Sequence, residues 1–160
     1  LESMDRSDGT LGESAVLPNS VAAWAPKAEL LHVFLPGTGR EPEEFSLWLE
    51  ASHKQGLPTI GLAYFAGPSD GSRNEACLKR GEDRACECLD AYHRDLVFGG
   101  NRSGLLAVAA SASITGRLAA MLSILAVGNA GWRRFMGPGP NGLTGVAWSR
   151  VLLSGHSQGG

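Results

Sequence analysis

The chain has 160 residues, 43% of them hydrophobic and 19% charged, with a formal net charge of -2. The length suits one globular domain with enough apolar residues for a core. So small a charge gives no electrostatic reason to expect nucleic acid or an anionic membrane surface as partner.

Residues 1–28 are polar with scattered Pro and Gly and form the least determined segment; at most they hold one or two short strands, for instance around Ala15 to Leu17. Leu30 to Leu35, LLHVFL, is a compact apolar run closed by Pro36-Gly37. It predicts a strand buried on both faces, as in a parallel sheet. After the loop PGTGREPEE, Phe45 to Gln55 predicts a helix ended near Gly56. Pro58 to Tyr64, PTIGLAY, is the next strand, closed by Gly67-Pro68. Strand, helix and strand in about forty residues imply a right-handed parallel crossover.

Residues 67–76 read as a turn-rich loop. Cys77 to Val97 is mixed and charged, with Leu89, Tyr92, His93 and Leu96 able to line a helical face. Phe98 to Gly104 is a loop. Leu105 to Gly128 is apolar enough to test as a membrane span, but Arg117 sits at its middle. A charge there costs on the order of 3 kcal/mol, and serines dilute the run further. The segment reads instead as a short apolar stretch followed by a helix. Ser113 caps that helix over about Ile114 to Val127, and Ile114, Leu118, Met121, Leu122 and Leu125 form its buried face. A glycine- and proline-rich connection carrying Trp132 leads to the last strand, Arg150 to Ser154. The alternation of buried strands and helices defines an α/β class, with a mostly parallel sheet flanked by helices.

Cys77, Cys86 and Cys88 leave at least one thiol unpaired, and no C-x-x-C zinc spacing occurs. Three reduced thiols and one local disulfide are both open; a disulfide needs the segment after Cys77 to turn back on itself. No motif calls for a metal or an organic cofactor. No basic segment followed by an apolar one opens the chain as a secretory signal would, and localisation is undefined.

The chemistry-bearing pattern is SRVLLSGHSQGG. Gly155 to Gly159 fits G-x-S-x-G, which presents a nucleophilic serine on a sharp strand-to-helix turn. The pattern fixes three residues and is weak alone in a chain with 22 glycines. Its context strengthens it. VLLS is the buried strand the turn requires, and a side chain at position 155 or 159 would collide with neighbouring backbone. Acyl transfer also needs two backbone N–H donors for the tetrahedral oxyanion: one from Gln158, after the serine, the other from a loop after an earlier strand. LHVFLPGTG supplies such a loop, with glycines that let backbone approach a substrate carbonyl.

These parts, in this order, resemble the N-terminal half of an α/β-hydrolase fold protein. LHVFLPGTG resembles the third strand and oxyanion loop, PTIGLAY the fourth strand, and SRVLLSGHSQGG the fifth strand and nucleophile elbow. The chain is also similar to a poorly characterised group of microbial α/β hydrolases. That likeness lies in Cys88 to Arg94, the S-I-x-x-R-L stretch from Ser113, the GW-x-x-F stretch from Gly131 and the elbow from Trp148, and runs from about Leu31 onward. It implies Ser157 as nucleophile, with Gln158 and Thr38 or Gly39 as oxyanion donors, acting on a small-molecule ester or amide.

In that fold the acid and the histidine follow the serine along the chain. None of the residues before Ser157 suits those roles. His156 is adjacent across a sharp turn, His32 sits in a buried strand as a satisfied sheet histidine, and His53 and His93 lie on helix surfaces. Asp70, Asp83, Asp90 and Asp95 serve caps, turns and solvated faces. The expectation is that residues 29–160 form the first half of a hydrolase domain, inactive or nearly so by itself, in a longer serine hydrolase. The rival is a non-catalytic α/β-hydrolase-fold binding or scaffold protein. Oligomeric state is not legible.

Overall fold

A computed structural model describes residues 19–64, 70–139 and 143–160. The strands suggested around Ala15 to Leu17 and the Gly67-Pro68 strand end lie outside the described residues. The described elements are β1 (Val21–Ala23), β2 (Leu31–Leu35), α1 (Ser46–Lys54), β3 (Thr59–Gly61), α2 (Asp70–Leu78), α3 (Glu82–Phe98), α4 (Ile114–Gly128), β4 (Met136–Pro138), β5 (Thr144–Val146) and β6 (Val151–Gly155). The class is α/β. One sheet has the order β1-β3-β2-β6, and β4 and β5 form a separate antiparallel pair. β2 runs parallel to both β3 and β6, while β1 is antiparallel to β3. The sheet therefore begins before residue 29.

β2 is buried at all five positions because both its faces are covered. On one face α4 lays down Ile114, Leu118, Met121, Leu122 and Leu125, the stripe its spacing predicts. They meet Leu31, Val33, Leu35, Ile60 and Leu62 from the sheet, with Trp132 and Phe135 closing the cluster. Burial on this scale stabilises by about 1.5–3 kcal/mol per large apolar side chain. On the other face α1 lies against β3, with Leu49 fully buried. Ser113 caps α4: its side chain accepts from the Gly116 N–H at 3.1 Å. The residues ahead of that cap form a 3-10 turn, Ala110–Ala112, so the apolar run is two elements. Among the described residues no helix is long and apolar enough to cross a membrane.

Several features differ from the sequence reading: β6, expected as a buried strand, has Leu152 and Leu153 about half exposed among the described residues. α2 replaces most of the expected loop at 67–76, and it packs on α3. The chain turns back at Gly81 (φ 106°), and a disulfide joins Cys77 to Cys88, leaving Cys86 free and exposed. Between α4 and β6, β4 and β5 form a hairpin where a plain connection was expected. Asp95 is not on a solvated face. It is fully buried at the end of α3 and accepts from the N–H groups of Arg102 (2.8 Å) and Ser103 (2.9 Å) and from the Ser103 hydroxyl (2.9 Å). Burial alone would push its pKa up, but these bonds outweigh that and hold it below the ordinary carboxylate value.

Candidate active site

β2 and β6 are adjacent and parallel, so the loops that follow them leave the same end of the sheet side by side. The chain steps from β2 outward to β3, then returns past β2 to β6. The strand order thus reverses at β2. In open α/β sheets the crevice at the carboxyl ends of strands at such a reversal is where ligands bind.

The turn after β6 is tight. His156 is extended and its N–H donates to the Leu35 carbonyl at 3.1 Å, carrying the β2–β6 pairing one step past the strands. Ser157 then takes φ 55°, a left-handed conformation that L-residues avoid at a cost of about 1–3 kcal/mol. A 3-10 turn, Ser157–Gly159, follows. An added Cβ at Gly155 would run into the Gly159 carbonyl, and one at Gly159 into the Leu35 carbonyl. Both glycines are therefore required for this turn to close against β2.

The loop after β2 lies directly against it. A Cβ built on Gly37 would stand 2.9 Å from Ser157 Cβ and 3.0 Å from the His156 carbonyl oxygen. Thr38 Oγ1 donates to Gln158 Oε1, tying the two loops across 120 residues of chain. The Tyr64 hydroxyl donates to the Pro36 carbonyl at 2.9 Å and fixes the start of the loop. Gly39 (φ 69°) faces open space, since an added Cβ there would meet nothing within 4 Å. Ser157, Gln158, Thr38 and Gly39, the four residues singled out in the sequence, are thus brought to one place, with the Ser157 side chain exposed.

No histidine among the described residues hydrogen-bonds Ser157. The His156 ring packs on Phe45 (centroids 5.2 Å apart), which in turn packs on Phe34 (4.8 Å). His53 Nδ1 lies 3.4 Å from the Leu57 carbonyl, and His93 sits beside Tyr92. His32 is buried in β2, as expected, but is satisfied at one nitrogen only. Its Nε2 lies 2.6 Å from Ser154 Oγ, while Nδ1 is buried without a partner among the described residues. Burial holds the His32 pKa below its ordinary value. Asp90 is paired with Arg94 on the exposed side of α3 at 2.8 Å; the side chains of Asp70 and Asp83 lie outside the described residues. Among the described residues no group of three or more His, Cys, Asp or Glu side chains is placed to hold a metal ion.

A cleft of about 970 Å³ lies elsewhere, between α4 and the β4–β5 hairpin. Thr115, Ala119, Leu143, Val146 and Trp148 line it, and neither Thr38 nor Ser157 does. The hydroxyls that line it, those of Ser111, Thr115, Ser123 and Thr144, are none of them on a left-handed residue as that of Ser157 is.

Sequence reasoning missed three contacts at the site: His32 with Ser154, Phe45 with His156, and Tyr64 with the Pro36 carbonyl. Each depends on which strands are neighbours. The one signal for the first pair is a polar residue inside an otherwise apolar run on each of two strands.

No family model, no curated protein and no solved structure matches this chain.

Proposed function

We propose that Ser157 is the nucleophile of a serine hydrolase that cleaves an ester or amide bond in a small molecule through an acyl-enzyme. The observation that carries this reading is the left-handed Ser157, at the end of a parallel strand, with the glycine loop of β2 pressed against its side chain. Backbone strain at an exposed serine is a recurrent mark of functional positions. Ser157 Oγ attacks the substrate carbonyl, forming a C–O bond as the carbonyl electrons move to oxygen. The N–H groups of Gln158 and of Thr38 or Gly39 then donate to that oxyanion, an interaction commonly worth two to three orders of magnitude in rate. The serine proton passes to a histidine oriented by a carboxylate, and the histidine gives it to the departing alcohol or amine as the oxyanion collapses and the scissile C–O or C–N bond breaks; water then hydrolyses the acyl-enzyme and frees Ser157. Because no described histidine bonds Ser157, this reading takes the histidine and the carboxylate from a longer chain, of which these residues form the first half, and gives these residues by themselves little or no activity. Hydrolysis of simple esters by the longer chain should vanish in Ser157→Ala, and turnover unchanged in that variant would contradict the proposal. The bare Ser157 hydroxyl favours one alternative, a non-catalytic binding or scaffold protein on the same fold. It calls for a folded longer chain without ester turnover.

A further inference from the structure

We propose that His32 and Ser154 form the register lock of the site: they are positioning residues that hold β6 against β2 in the one alignment that seats Ser157 beside Gly37. The need for a lock follows from β6 itself. Its neighbouring leucines, Leu152 and Leu153, point to opposite faces and are 47% and 53% exposed. Among the described residues Val151 is the side chain of β6 that packs against the core cluster, so burial marks the register weakly, and a one-residue slip exchanges one half-exposed leucine for the other. Main-chain pairing does not choose either, since a slipped parallel ladder makes the same kind of bonds. Gly155 and Gly159 permit the native alignment without attracting the strand to it.

The polar pair removes the degeneracy. His32 is 4% exposed and lies in β2 between Leu31 and Val33. Its Nε2 meets Ser154 Oγ at 2.6 Å, and Ser154 is the single hydroxyl of β6. A one-residue slip moves that hydroxyl to the other face of the sheet. The imidazole, whose Nδ1 already lacks a partner among the described residues, would then be buried with neither nitrogen bonded. The native register is the one in which Leu35 stands opposite Gly155 and its carbonyl receives the His156 N–H. It therefore sets where Ser157 emerges. The lock serves the proposed chemistry, and rests on that reading for its purpose, but its existence is independent of whether Ser157 reacts.

The test is amide exchange and cross-strand contact mapping by nuclear magnetic resonance on the folded longer chain, with the α4 amides as the fold control. His32→Leu and Ser154→Ala should each speed exchange of the His156 amide at least about tenfold and weaken the Val33–Leu153 pairing, while the α4 amides change little. Ser154→Thr, which keeps the hydroxyl, should behave as wild type. The double variant His32→Leu/Ser154→Ala, apolar on both sides, should regain melting temperature without regaining His156 protection. Full His156 protection in both single variants would overturn the lock. So would recovery of that protection in the double variant, which would mean the pair is only a satisfied piece of core. Should His32→Leu fail to fold, Ser154→Ala, which removes one hydroxyl, carries the test. A folded longer chain with native register whose Ser157 never reacts would remove the hydrolase reading and leave the lock in place.

Discussion

β3 and β6 flank the same strand in the same direction, and the molecule treats them differently. β3 is buried at every position and held under α1. β6 pairs equally well with β2 along five residues, yet its two leucines are half exposed. The difference lies in cover rather than in pairing. Backbone hydrogen bonds align a strand but contribute modestly to net stability, whereas buried apolar area contributes most of it. Among the described residues the densest packing is on the β3–β2–α4 side, and the candidate site lies away from it. Among the described residues the serine-bearing strand pairs with β2, and its Val151 packs against the core cluster.

The contrast can be broken most severely from the core side. Leu118→Ala opens a cavity in the cluster under β2 and should cost about 3 kcal/mol, whereas Leu153→Ala should cost about 1 kcal/mol or less. Chemical denaturation of the two variants measures this, and equal losses would erase the distinction between the two sides. Next in size is Gly159→Val, whose Cβ meets the Leu35 carbonyl. The expected loss is about 2 kcal/mol, and its signature is that His156 amide protection falls while α4 keeps its own.

Acid should separate the two regions without any mutation. His32 has its folded pKa below the ordinary value near 6.5, so just below that value the unfolded state binds more protons than the folded one. Its contribution is full above pH 6.5 and declines as pH falls toward the folded value. Asp95 has its folded pKa below the ordinary 3.8. Its contribution is full above that value and is lost as pH falls through the lower one. Hydrogen exchange followed from pH 8 to pH 3 should show the His156 amide loosening first and the Asp95 loop only in stronger acid. The smallest effect is expected from Thr38→Val, which removes the side-chain tie to Gln158 at about 1 kcal/mol, read by denaturation.

What could be read from the sequence follows the same division. α4 was legible because one buried face imposes a helical period and Ser113 is a capping residue. β2 was legible because a strand covered on both sides must be a continuous apolar run. The turn at Ser157 was legible because its backbone tolerates only glycine at 155 and 159. α2 was not: DGSRNEACL is polar and shows no apolar stripe, and what fastens it to α3 is the Cys77–Cys88 disulfide with buried Arg73 stacked on Tyr92. The β4–β5 hairpin was hidden in three-residue strands among glycines and prolines. Asp95 looks like any surface carboxylate until Arg102 and Ser103 fold over it. His32 and Ser154 are 122 residues apart and become partners only once β6 is known to lie beside β2.

The most direct measurement is treatment of the folded longer chain with a fluorophosphonate, followed by mass mapping of the adduct. The expected result is a single covalent adduct on Ser157, absent in Ser157→Ala. A folded chain that leaves Ser157 unlabelled, or that carries its adduct on another serine, would contradict the assignment of Ser157 as the nucleophile.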